Sequence, residues 1–384
     1  MRYTWLILLL FAALSCSGSR EKEGNPYVSD QTTPTRGDWV ILFELSDPEN
    51  LNPTNYTGAD AGYILANIFM SLLSVDPRDT TYPYVPALAV GLPELSPDGL
   101  RYTFEIHPAA RWDNGEPITG KDVEFSFKVI KNPLVDCAQL RPYYEFIEDV
   151  SIDPKNPKRF TVITNRKYML ALSSIATAFI LPRYAYDPEN LMEKYSIRQL
   201  NREGDKLRND PNIRRFAEQY NAKQREAKDI VGSGPYLLEE WVTGQQVVLR
   251  RKDNWWADTL KGVAYEAYPE KLVYRVINDP NTAITALKAQ KLDVMNGIPA
   301  KDFMELKKNS GFLTHFRLET PPMFAYSYIG LNMRPQGRAP IFTDVRVRWA
   351  LAHLVDVDMI IRKFSYGLAQ RDYRSTLSHA PRRL

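Results

Sequence analysis

Apolar residues along this chain switch repeatedly between alternating runs and stripes at three- and four-residue spacing. Residues 39–45 form a short apolar run that predicts a strand, and residues 61–73 carry helix-compatible spacing. Residues 101–106 alternate cleanly, with Tyr102, Phe104 and Ile106 on one face, and residues 160–164 give a weaker strand. Pro211 suits a first helical turn, and Ile213, Phe216, Ala217 and Tyr220 then follow the i, i+3, i+4, i+7 stripe. Gly232-Ser233-Gly234-Pro235 marks a sharp turn before two strands, 236–241 and 246–251, separated by Thr243-Gly244. A strand over 271–277, a helix over 282–290 and a strand over 293–298 continue an α/β pattern. Residues 326–332 read as a strand. Residues 344–355 and 356–364 read as helices, each with an aspartate at its cap.

One stretch invites a chemical reading. In W-D-N-G-E-P-I-T-G-K-D-V-E-F-S-F-K-V-I, residues 112–130, Gly115 to Lys121 spells seven of the eight positions of a phosphate-binding loop. That loop needs a serine or threonine after the lysine to hold the magnesium ion. Here Asp122 follows, and its charge would repel phosphate; Pro117 removes one of the amides that would cradle it. A helix start uses every residue instead. Asn114-Gly115 makes a turn, Thr119 caps, Asp122 is its capping-box partner, and Val123, Phe127 and Ile130 line one face.

The N-terminus changes the picture most. Arg2 precedes an uninterrupted apolar run of ten, Trp5 to Leu14. A membrane-spanning helix needs about 20 such residues, so residues 1–15 read as a signal peptide. The run leads into Ala13-Leu14-Ser15-Cys16, which resembles the bacterial lipobox, with Cys16 as the lipidated mature N-terminus; plain secretion with an incidental cysteine is the alternative. Residues 16–37 then read as a polar, flexible tether whose ends would lie roughly 25 Å apart. Cys137 is the other cysteine; with Cys16 acylated it has no intramolecular disulfide partner and is expected to be a small buried residue.

At 384 residues, 44% apolar and 25% charged, the body fits a globular protein of two or three domains. A formal charge of +3 gives no support for nucleic-acid binding, and residues 189–229 balance ten basic against eight acidic side chains, as solvated helices do. Chemistry is sparse. The four histidines, His107, His315, His353 and His379, lack metal-binding spacing, so no metal or cofactor is expected. No G-x-S-x-G elbow occurs, and no carboxylate pair stands out as hydrolytic. The usual catalytic constellations are therefore absent, and a hydrolase has little support.

A series of short motifs then falls into order: E-L-S-D-P-E-N-L-N-P-T-N-Y at 44–56, Y-V-P-A-L-A at 84–89, D-G-L at 98–100 with Y-T-F at 102–104, and the 112–127 segment. After these come G-S-G-P-Y at 232–236, Asn254-Trp255-Trp256, Ala286-Leu287-Lys288 with Leu292-Asp293-Val294, G-L-N at 330–332 and D-V-R-V-R-W-A-L-A at 344–352. The ordered set, from about residue 40 to 367, resembles the family 5 extracellular solute-binding proteins, the dipeptide and oligopeptide receptors of bacterial ABC importers.

The resemblance implies an α/β, two-lobed periplasmic-binding-protein-like fold of type II, large peptide-binding class. Its N-terminal lobe would span 38–268, with an inserted subdomain at about 60–185, and residues 269–384 would be an incomplete second lobe. The lobes would close on an extended peptide whose main chain pairs with protein strands. By its offset from Leu51-Asn52-Pro53, the ligand-pairing segment is Thr57-Gly58-Ala59, although an ordinary loop before a helix would look the same. Tyr56 could flank the cleft. Trp255 and Trp256 are either aromatic walls or core. The implied partners are a peptide, an ABC permease with its ATPase subunits, and a membrane reached through the lipid anchor; a monomer is implied, at the cell envelope. An oligosaccharide or other small solute, or a signalling role without transport, stays open. Family members are longer by well over a hundred residues, so a truncated copy or a gene fragment is expected, without the residues that fix a peptide's ends.

Overall fold

The computed structural model describes residues 36–222, 229–321 and 328–371. The expected signal peptide, Cys16 and nearly all of the tether lie outside these residues, as do the first two residues of the strand expected at 326–332. Within the described part of that segment, 328–332, no strand forms.

Two four-stranded sheets organise the chain. In the first, β1 (Trp39–Glu44) pairs in parallel with β10 (Lys271–Val276), which pairs antiparallel with β9 (Gln246–Arg251); β9 in turn pairs antiparallel with β8 (Tyr236–Val242). Gly244, at φ +76°, makes the tight β8–β9 turn that the Thr243-Gly244 pair predicts. A two-stranded unit of β2 (Leu73–Val75) and β3 (Tyr84–Pro86) leads into the second sheet. That sheet has the order β4-β5-β7-β6, all antiparallel, with β4 Glu94–Leu95, β5 Arg101–Glu105, β6 Ile147–Ile152 and β7 Arg159–Thr164.

The pseudo phosphate loop is a helix start. Helix Gly120–Lys131 has a complete capping box: Lys121 N donates to Thr119 Oγ1 at 3.3 Å, and Thr119 N donates to Asp122 Oδ2 at 2.9 Å. Val123, Phe127 and Ile130 are buried. Gly120 is there for space, because a Cβ would lie 2.9 Å from Phe160 Cβ on β7.

One continuous core runs through both sheets, from Leu51 to Tyr274. It includes β10, which is central in the sheet that β1 begins. A second, small core joins Leu287, Leu292, Leu306 and Phe312. Two expectations are corrected. The helix expected over 61–73 is Ala59–Ile68, after which the chain turns extended into β2. The strand expected at 293–298 shrinks to a single parallel bridge, Leu42 to Val294, because Gly297 at φ +71° turns the chain away. Helices Val345–Leu354 and Val357–Lys363 form with Asp344 and Asp356 as side-chain caps, and neither buries a residue. Among the described residues, no helix is long and apolar enough to cross a membrane.

Candidate functional site

The Leu51-Asn52-Pro53 turn is fixed by one buried amide. Asn52 Oδ1 accepts from Thr54 N, Thr54 Oγ1 and Asn55 N at 3.0, 3.1 and 3.2 Å, and Asn52 Nδ2 donates to the Tyr220 carbonyl at 3.3 Å. Thr54 Oγ1 also meets the Tyr220 hydroxyl at 3.1 Å, which ties the turn to helix Pro211–Ala222. A buried amide with its donors and acceptors filled holds one geometry. The chain leaves this anchor and emerges at the surface.

Thr57, Gly58 and Ala59 are all exposed. Gly58 is the N-cap of helix Ala59–Ile68, at φ −84° and ψ 145°, and makes no side-chain cap. A Cβ on Gly58 would meet nothing closer than Asp60 N at 4.0 Å. Glycine is therefore not demanded here by neighbours or by backbone conformation; it leaves the extended backbone uncovered. Thr57 Oγ1 donates to Glu49 Oε2 at 2.9 Å, which steadies the segment from the opposite side. Tyr56 is half-buried, its ring lying where a Cβ on Gly62 would come within 3.2 Å, and burial raises its hydroxyl pKa.

Trp255 and Trp256 lie elsewhere in role: they are core residues, 4% and 8% exposed, so the aromatic-wall option is corrected for this chain. Both indole N–H groups donate to the Ser233 carbonyl, at 2.8 and 3.0 Å, and both rings stack edgewise or tilted around Tyr265. With their polar edges used and their faces covered, they brace the turn before β8. That turn packs tightly: a Cβ would lie 2.2 Å from the Ile68 carbonyl oxygen at Gly232, and 2.5 Å from that of Asn67 at Gly234. The G-S-G-P-Y motif is thus a backbone-on-backbone contact against the end of the helix that begins at Gly58. Lys252, buried beside it, donates to Asp113 Oδ1 and the Gly232 carbonyl, each at 2.7 Å.

Sequence reasoning missed Glu44. It ends β1, is buried, and lies against Asp60 in the first turn of helix Ala59–Ile68. Burial, then the Asp60 charge, push its carboxyl up to about 8, so it is mostly protonated at neutral pH. Ser46 Oγ donates to Asp60 Oδ2 at 3.2 Å. A glutamate closing an apolar strand gives no signal of such pairing, because the partner is distant in sequence. Cys137 is buried, its thiol pushed up to about 11 by burial. Among the described residues no group of three or more His, Cys, Asp or Glu side chains is arranged to hold a metal.

Against known proteins, residues 83–381 match the family model of the bacterial extracellular solute-binding proteins, family 5 Middle. The oligopeptide-binding protein AppA of Bacillus subtilis is 24% identical over 372 residues, covering 96% of this chain and 59% of its own length. The structure of AppA in complex with a nonapeptide superposes with a TM-score of 0.64 at 21% identity, over 90% of this chain and 59% of that one. The binding protein AgaA of A. tumefaciens, in complex with agropinic acid, gives a TM-score of 0.52 at 20% identity, over 71% of this chain and 46% of that one. The chain thus spans about 59% of the length of the curated relative named here, and shares the type II periplasmic binding fold. With the match running over most of its length, this chain belongs to the bacterial extracellular solute-binding proteins, family 5.

Proposed function

We propose that this chain is the substrate-binding lipoprotein of an ABC importer, capturing extended peptides between two lobes and delivering them to the permease. One observation carries the reading: the exposed residues Thr57–Ala59, with extended backbone at Gly58 where the chain enters helix Ala59–Ile68, are presented by a rigid buried turn with no side chain over Gly58. A ligand main chain could approach that backbone closely, which is how strand addition binds peptides irrespective of side chain. Tyr56 borders the segment. The first lobe would carry β1 and β8–β10 with the second sheet inserted, and residues from about 280 onward would begin the second lobe. Closure would draw on the ligand's preference for the closed state, with no chemical step. Cys16 would hold the body near the membrane, and the lipid, permease and ATPase subunits complete the assembly.

The test is calorimetric. Gly58→Val fits the backbone angles of Gly58 and meets open space, so its melting temperature should change little. A β-branched side chain over the pairing segment should weaken tetra-alanine binding by tenfold or more. Unchanged affinity would remove Thr57–Ala59 from the site. Cys16→Ser should abolish incorporation of labelled palmitate; retained label would refute the anchor. A second reading, a small anionic solute, is favoured by the likeness to the AgaA structure with agropinic acid, and a thermal-shift screen against small organic acids, agropinic acid among them, separates the two.

A further inference from the structure

Helices Gly120–Lys131 and Ile197–Leu207 both pack on β6 of the second sheet. Between their ends and the short helix Arg141–Tyr144 opens a cavity of about 710 Å³, a volume in the range that small-molecule sites occupy. Its wall is cationic. Lys131 Nζ donates to the Tyr144 carbonyl at 3.0 Å and to Asn201 Oδ1 at 2.6 Å. Arg141 Nη2 donates to the Asn132 carbonyl at 3.0 Å and to that of Val135. Those partners are all neutral, and Arg141 Nε is buried with no hydrogen-bond partner. Among the described residues neither cation forms an ion pair, nor does Lys206, exposed on the same wall. The acids of the wall are already engaged. Glu145 pairs with Arg166 at 3.2 Å, Asp205 with Arg208 at 3.3 Å, and Glu203 accepts from Gln199 Nε2 at 3.4 Å. Burial pulls the Lys131 ammonium down to about 8, although the Glu145 and Glu148 charges oppose the shift. A partly buried cation answered only by neutral acceptors gains when an anion reaches it. Gly204 also lines the cavity, inside helix Ile197–Leu207, where glycine weakens a helix. Its φ is not positive, and a Cβ there would meet no atom within 4 Å. The bare backbone leaves room in the cavity at the helix's expense.

We propose that this cavity is a second binding site, sharing no lining residue with Thr57–Ala59, for a small organic anion. Its phosphate or carboxylate group lies among Lys131, Arg141 and Lys206, and its apolar body rests on Pro133, Pro142 and Leu200. Arg141 brings a guanidinium fixed by two carbonyls, with a donor to spare. Lys131 brings a second charge pinned by Tyr144 and Asn201, and Lys206 closes over the outer oxygens. Phosphate and carboxylate share the oxyanion edge that a guanidinium recognises, so the wall accepts either head group. Binding is reversible and breaks no bond. The site stands on its own geometry, whether or not the chain captures peptides.

Calorimetric titration of the full chain with phenyl phosphate, phenylacetate, inorganic phosphate and benzyl alcohol tests this. At least one of the two aromatic anions should bind saturably, and the tighter of them identifies the head group. It should bind about tenfold more tightly than benzyl alcohol, which lacks the charge, and than inorganic phosphate, which lacks the body. Gly204→Leu fills the cavity from a helical position with space for a side chain. It should hold or raise the melting temperature of the free protein while weakening the anion about tenfold or more. Lys206→Glu, an exposed change with no ion pair to lose, should weaken the anion about tenfold without lowering the melting temperature. Neither variant removes a bond that holds the fold, so lost binding cannot be mistaken for unfolding. No saturable binding of either aromatic anion, equal binding of benzyl alcohol, or an affinity unchanged in either variant would overturn the proposal.

Discussion

At Glu44, burial and the adjacent Asp60 charge favour the neutral acid, so folding takes up a proton near neutral pH. A carboxyl raised from its ordinary value of 4.5 to about 8 contributes stability that is full below the lower value. That contribution is lost as pH rises through the higher one. Between pH 6 and pH 8 the wild type should lose about 2 kcal/mol of unfolding free energy on this account. Glu44→Gln, permanently neutral, should show a flatter profile; denaturant melts at the two pH values check it, and equal slopes would refute the buried acid. Gly234 has the opposite kind of constraint. With 2.5 Å between a Cβ and the Asn67 carbonyl oxygen, Gly234→Ala should cost about 3 kcal/mol, read as a lower denaturation midpoint at unchanged slope.

Helix Gly120–Lys131 illustrates what a sequence can reveal of an element. Thr119, Asp122 and the Val123, Phe127, Ile130 stripe specify its start and its buried face from local chemistry alone, and the structure places them accordingly. Thr119→Ala should therefore cost about 1 kcal/mol, and Lys121→Ala should leave the thermal midpoint unmoved by added ATP, as in the wild type. Strands 246–251 and 271–276 were equally legible, because alternation and turn residues bound them. Elements defined by distant partners were not. The expected strand at 293–298 has the right apolar content, yet only Val294 finds the edge of β1. Trp255 and Trp256 look alike in a cleft or a core until the Ser233 carbonyl that takes both N–H groups is known. Thr57-Gly58-Ala59 was placed by resemblance, and the space over Gly58 is a property only the fold reveals.

Across the whole molecule, burial is uneven. The core from Leu51 to Tyr274 is continuous, whereas helices Val345–Leu354 and Val357–Lys363 bury nothing. Trp349, Leu354 and Phe364 are 64%, 80% and 70% exposed. Apolar faces of this kind are large for a solvated surface. The protein should accordingly bind a hydrophobic dye in its folded state. Replacing Trp349, Leu354 and Phe364 together by lysine should reduce that signal without lowering the melting temperature; an unchanged signal would place the apolar surface elsewhere. Peptide capture by main-chain pairing is the property on which the functional reading stands. It is tested by calorimetric titration of this protein with tetra-alanine, tetra-serine and a tetra-alanine N-methylated at its central amides. The two unmodified peptides should bind within about tenfold of each other, and N-methylation should weaken binding by at least tenfold, because it removes the paired N–H groups. Equal binding of the methylated peptide, or no binding of any of the three, would contradict it.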